Sequence, residues 1–172
     1  MQTFIAFMAI LGQLMIVSST TVFFLVKGLR QKIRNFSNRY AYIIVFWVSL
    51  LATLGSLYFS DVVGWEPCTL CWYQRIAMYP IVVISAIGIW KQDLSAKTYM
   101  LILSIMGFII ALYQIYIQVS ASMGSSLTGF CSTIGATDCS SVYMIEFGYV
   151  TFPVVSATVF LAIISILSFK RE

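Results

Sequence analysis

Residues 66–90 read EPCTLCWYQRIAMYPIVVISAIGIW, two thiols three positions apart running straight into an oily stretch. A helix rises 1.5 Å per residue, so Cys71 to Trp90 would cover about 28 Å, close to one hydrocarbon core of about 30 Å. The thiols would then sit at the membrane surface, open to a lipid-soluble molecule from one side and to a protein from the other. A dithiol placed there is suited to pass electrons between the two.

The rest of the chain supports a membrane setting. Of its 172 residues 60% are hydrophobic and 9% charged, against roughly 25% charged in soluble domains. Five runs are long and apolar enough to span: residues 4–26, 40–59, 72–90, 98–119 and 150–169. In lipid only helices and closed barrels satisfy the backbone, and these runs are continuous rather than alternating, so helices are expected. The first run lacks a positive charge before it and ends in Lys27, which favours an uncleaved helix over a signal peptide. The expected fold is an all-α integral membrane protein, a four-helix transmembrane bundle with an additional N-terminal transmembrane helix.

Charge sets the orientation. Residues 27–39 carry Lys27, Arg30, Lys32, Arg34 and Arg39 and no acid. Lys91, Lys97, Lys170 and Arg171 fall on the same side, which is the cytoplasm by the positive-inside rule. Arg75 alone lies opposite, with Asp61, Glu66, Asp138 and Glu146. Five spans then put the N-terminus outside and the C-terminus inside. The basic residues form no aromatic-laced patch, so the net charge of +4 does not indicate nucleic acid. There is no histidine, which excludes Ser-His-Asp hydrolysis, Cys-His proteolysis and His-ligated zinc or haem.

On this topology all four cysteines reach the outer face, where disulfides persist. Cys68 and Cys71 join spans two and three. Cys131 and Cys139 lie in the long connection 120–149, part of which is rich in Ser, Gly and Thr. Pro67 suits a helix's first turn, so the third span is expected to begin near it, with Cys68 and Cys71 on one face. The helix N-terminus and Arg75, four residues past Cys71, would favour a Cys71 thiolate. A four-thiolate zinc site is the rival for this pair, but zinc knuckles use two closely spaced pairs. The Cys131/Cys139 pair closes a nine-residue loop. A structural staple worth roughly 3 kcal/mol and a disulfide open to another protein's thiolate both stand on the loop alone.

Other polar residues have plainer readings. Trp65, Trp72 and Tyr73 suit an interfacial belt. Pro80 is expected to bend the third span, because it cannot donate to the Ile76 carbonyl. Gln114 and Gln118 share one face and suit helix-to-helix hydrogen bonding. Glu146 reads as a solvated loop acid, and residues 142–149 are apolar enough to lie on the membrane surface. Arg75, the one base on its side, reads as a partner for a thiolate or a bound acceptor rather than a headgroup contact.

With both pairs in view, the sequence resembles the disulfide bond formation protein B family (DsbB), and more closely its short-loop BdbC branch. The resemblance rests on EPCTLCWYQRIAMYP, the CSTIGATDCS loop and IEFGYVTFPVVS before the last span, within about residues 40–169. It implies a thiol:quinone oxidoreductase in the bacterial cell membrane. Such an enzyme re-oxidises an extracytoplasmic thioredoxin-like thiol oxidase of the DsbA/BdbD type and passes the electrons to menaquinone or ubiquinone. On matching positions, Cys131 would form the mixed disulfide with the partner and Cys139 would exchange with Cys68. Cys71 would engage the quinone ring as a charge-transfer partner or transient adduct, and Arg75 would face the quinone oxygen. Family members usually have four spans, so residues 1–39 are an extra helix and basic loop before a 40–172 core. Two rivals are a conduit running electrons outward to reduce external disulfides, which would want a cysteine or cofactor ligand deeper in the spans, and a membrane scaffold or transporter subunit whose cysteines only staple its loops.

Overall fold

In the computed structural model, described residues are 27–91, 95–123, 139 and 149–169, with 7, 10, 11 and 13; for 27–39 the backbone alone is described. Helix α1 runs Lys27–Leu57 and ends in one widened, π-type turn, Tyr58–Val62. Helices α2 (Thr69–Lys91), α3 (Ser95–Ser122) and α4 (Phe152–Phe169) follow. Arg75 near the start of α2 bonds Ser56 near the end of α1, and Gln74 bonds Gln114 near the end of α3. Phe59, just past α1, meets Phe152 at the start of α4. Consecutive helices are therefore antiparallel, in an up-down bundle.

The expected count of five spans is corrected to four. Among the described residues four segments are long and apolar enough to cross a membrane: Tyr40–Val62, Thr69–Lys91, Ser95–Ser122 and Phe152–Phe169. The protein is a multi-pass membrane protein with a four-helix bundle, and the five-span, N-out arrangement falls. The expected first span, 4–26, lies outside the described residues except at positions 7, 10, 11 and 13. Five cations interrupt the apolar runs at 27–39, where a basic loop is expected. Charge marks where a helix leaves lipid, not where it ends. No proline interrupts this stretch and it is rich in good helix formers, so α1 runs unbroken from Lys27 into its membrane-spanning part. An even number of crossings brings both ends of the bundle to the side that carries Lys91 and Lys97.

The bundle interior is apolar, centred on Val45, Ile81, Met100, Phe160, Ile163 and Leu167, all fully buried. Small residues let the helices approach, the usual solution where lipid gives no hydrophobic drive between helices. Gly107 of α3 faces the Phe160 ring of α4 so closely that a Cβ would sit 2.7 Å from the ring's Cε2. Buried serines turn inward: Ser49 Oγ donates to the Val45 carbonyl at 2.8 Å and Ser85 Oγ to the Val82 carbonyl at 2.9 Å. Pro80 lies inside α2, and the helix continues through it. Trp90, Ile76, Val83, Ile109 and Tyr116 are exposed, as lipid-facing side chains should be.

Candidate active site

The site forms at one end of the bundle, where α1 and α3 finish and α2 and α4 begin. After the π-type turn the chain must double back. Gly64 makes that turn with φ +79°, a left-handed conformation open to glycine at little cost. Trp65 then donates its N–H to the Phe59 carbonyl at 3.1 Å. Its ring stacks on Phe59, centroids 5.2 Å apart and planes 13° apart, with Phe152 edge-on to both. Trp65 is thus a wall residue, not the belt residue expected, because the glycine turn folds it inward. Trp72 and Tyr73 are exposed.

Pro67 precedes the helix and Cys68 stands just ahead of its first residue, with the Cys68 carbonyl accepting from Trp72 N–H at 3.1 Å. The helix begins at Thr69, two residues beyond the expected start. Cys68 is buried and Cys71 half-buried; both are free thiols, and Cys68 Sγ donates to Cys71 Sγ at 3.3 Å. That hydrogen bond, and then burial, hold the Cys68 thiol well above the ordinary thiol range, so Cys68 keeps its proton.

From α3, Gln114 reaches both sulfurs. Its Nε2 donates to Cys68 Sγ and to Cys71 Sγ, each at 3.3 Å. Its Oε1 accepts from Gln74 Nε2 at 2.7 Å, which orients the amide. Both glutamines are buried, where an amide must find partners. The helix-to-helix bond expected of Gln114 exists, through Gln74, and the thiol bridge is additional. Gln74 is not among the residues that the sequence pattern marks. Its signal was an amide in an apolar helix one turn past a reactive cysteine.

Arg75 is buried and held by α1. Its Nε donates to Ser56 Oγ at 2.9 Å, its Nη2 to the Ser56 carbonyl at 2.9 Å and its Nη1 to Ser60 Oγ at 3.3 Å. A cation at a helix C-terminus meets the negative end of the helix dipole. The guanidinium carbon also lies 5.2 Å from the Trp72 ring centroid. Ser56 and Ser60 were not singled out in the sequence, because nothing local marks a serine as an arginine's anchor.

Cys139 is disulfide-bonded and buried. It packs in one cluster with Cys68, Leu70 and Ile117, with Cys71 at the edge. The structure therefore brings a cysteine from the long connection onto the pair at the start of α2. Cys131, Glu146 and residues 142–148 lie outside the described residues.

A cavity of about 290 Å³ opens beside these groups. Cys68, Cys71, Gln74, Arg75, Gln114 and Gln118 line its polar part, and Leu51, Phe59, Met78, Phe152, Val155 and Val159 part of its apolar wall. Small-molecule sites run from roughly 300 to 1,000 Å³, so the space suits a single flat head group. An apolar box with donors on one wall fits a planar ring bearing carbonyl oxygens.

The comparisons agree with this chemistry. Residues 38–169 match the family described as "Disulfide bond formation protein DsbB". The chain is 43% identical over 118 residues to a probable disulfide formation protein C of Halalkalibacterium halodurans, covering 68% of this chain and 83% of the relative. It is 36% identical over 125 residues to the SPbeta prophage-derived disulfide bond formation protein B of Bacillus subtilis, covering 73% and 81%. It is 37% identical over 128 residues to disulfide bond formation protein C of the same organism, covering 74% and 90%. No solved structure matches. A thiol pair at a helix start, a buried disulfide-bonded cysteine packed on it and this sequence match lead to one conclusion: the chain belongs to the DsbB family of membrane disulfide-generating oxidoreductases, close to the C-type disulfide formation proteins.

Proposed function

We propose that this protein re-oxidises a thioredoxin-like dithiol protein of the DsbA/BdbD type outside the cytoplasm and delivers the electrons to a membrane quinone, menaquinone or ubiquinone. Quinone use is general to the family; bound in the cavity, a quinone would accept two electrons and two protons. The observation that carries the reading is the packing of disulfide-bonded Cys139 on Cys68, with Cys71 and Arg75 in the wall of the cavity. We assign the chemistry to residues 40–172, with 1–39 as a preceding segment.

In this reading the partner's thiolate attacks Cys131, and the Cys131–Cys139 bond breaks to leave Cys139 as the thiol. The partner's second thiol displaces Cys131 and departs oxidised. Cys139 then attacks Cys68 of an oxidised Cys68–Cys71 pair, and that Sγ–Sγ bond breaks, leaving the electron pair on Cys71. Cys131 resolves the Cys68–Cys139 link, which re-forms its own disulfide and returns Cys68 as a thiol. Cys71 lies on the cavity side, and Arg75 would place positive charge where an acceptor's oxygen gains electron density. Gln74 and Arg75 would hold the quinone oxygens; Phe59, Trp65 and Phe152 would flank the ring and exclude water. For two electrons each 30 mV is about 1.4 kcal/mol, so a more oxidising acceptor drives disulfides outward.

The test is purified protein with a reduced thioredoxin-like substrate and a soluble quinone. Quinone reduction is expected, and is expected to vanish in Cys71→Ser. Normal turnover in that variant overturns the role of Cys71, and no turnover in the unmodified protein favours the scaffold. Orientation follows from the basic residues at the opposite end of the bundle. An impermeant maleimide should label the reduced thiols on intact cells, and protection there would place the site in the cytoplasm instead.

A further inference from the structure

We propose that Gln114 is a positioning residue for the redox step: its amide, oriented by Gln74, bridges Cys68 Sγ and Cys71 Sγ and stabilises the reduced pair over its disulfide, so setting how strongly the pair oxidises. The inference rests on the assignment of Cys68 and Cys71 as the redox pair.

The geometry has three parts. Gln114 Nε2 lies 3.3 Å from each sulfur, so one donor serves both. Gln74 Nε2 donates to Gln114 Oε1 at 2.7 Å and anchors the amide; that oxygen also accepts from Cys71 Sγ at 3.8 Å. Gln114 is 3% exposed and Gln74 6%, so water does not compete for these groups. Hydrogen bonds to ionised acceptors are roughly twice as strong as neutral ones. A disulfide sulfur carries no charge and accepts weakly. Reduction breaks the Cys68–Cys71 bond, takes two electrons from the reductant and leaves a Cys68 thiol donating to a Cys71 sulfur that is able to ionise. The amide gains most at that moment. It is uncharged, so it can favour the reduced sulfurs without bringing a second full charge into an apolar bundle, where an ion is costly.

The experiment uses full-length protein in detergent, without quinone, equilibrated against dithiothreitol and its cyclic disulfide. The ratio of reduced to oxidised Cys68–Cys71 is read by alkylation and peptide mass. Gln114→Met keeps the volume and removes the donor. It should shift the equilibrium about tenfold toward the disulfide, equal to about 30 mV for two electrons. Gln74→Met, which frees the amide without removing it, should shift it the same way by less. If Gln114→Met leaves the ratio unchanged, the proposal falls, whatever the variant's thermal stability. If Gln114→Met does not fold, Gln74→Met decides: a shift toward the disulfide supports the bridge and an unchanged ratio overturns it. Turnover of the unmodified protein with quinone tests the parent reading separately. Normal turnover of the unmodified protein, together with an unmoved ratio in Gln114→Met, removes this inference alone.

Discussion

Replacing Arg75 by lysine separates charge from shape. The guanidinium makes three contacts, to Ser56 Oγ, the Ser56 carbonyl and Ser60 Oγ. An ammonium keeps the charge but presents a single nitrogen and cannot reproduce the fork, so at least two contacts are lost. Hydrogen bonds involving a charged group contribute roughly 1.5–3 kcal/mol each. If the lysine head regains about half of the loss through one oxygen or water, about 2 kcal/mol remains, or roughly thirtyfold in an equilibrium constant. The loss falls on the cavity because Ser56, Phe59 and Ser60 all line it. The expected result for Arg75→Lys is a KM for a soluble quinone raised about thirtyfold, with a smaller fall in kcat, in a steady-state assay with reduced thiol substrate in excess. A wild-type KM in Arg75→Lys, alongside a large loss in Arg75→Gln, would mean that charge alone matters and would refute the anchoring argument.

Cys131→Ala should abolish the covalent complex with a thioredoxin-like partner whose second cysteine is removed, read as a band shift on non-reducing gels; a complex trapped through Cys68 instead would reverse the order of the two pairs. Gly107→Ala should destabilise the bundle by about 1–3 kcal/mol, the usual cost of overpacking, because Phe160 is fully buried and has no space to retreat into. Its melting temperature should fall while the ratio of reduced to oxidised Cys68–Cys71 stays put. An unchanged melting temperature would show that α3 and α4 separate easily.

The sequence was most legible where the physics is one-dimensional. Apolar runs at 72–90, 98–119 and 150–169 anticipated helices Thr69–Lys91, Ser95–Ser122 and Phe152–Phe169 to within a few residues, because span length follows from bilayer thickness. The same logic fails at 27–39, where cations interrupt the apolar pattern but the helix does not break. Spacing placed Cys68 and Cys71 on neighbouring turns, and their sulfurs meet. Contacts between segments far apart in sequence were illegible: Gln74 with Gln114, Arg75 with Ser56, Trp65 with Phe59 and Phe152. Each depends on how helices lie side by side, or on one glycine's φ, and neither leaves a periodic trace.

The widened turn at Tyr58–Val62 makes chain length, as well as side-chain chemistry, a condition for the cavity. A π-type turn holds one more residue than an α turn, so removing any single residue from it would restore an ordinary spiral. The same arc would then be shared by one residue fewer, so the facing of the positions inside the turn would change, and Phe59 could no longer meet Trp65 and Phe152 while Ser60 meets Arg75. A one-codon deletion here should therefore do more damage than any single substitution among the same five positions.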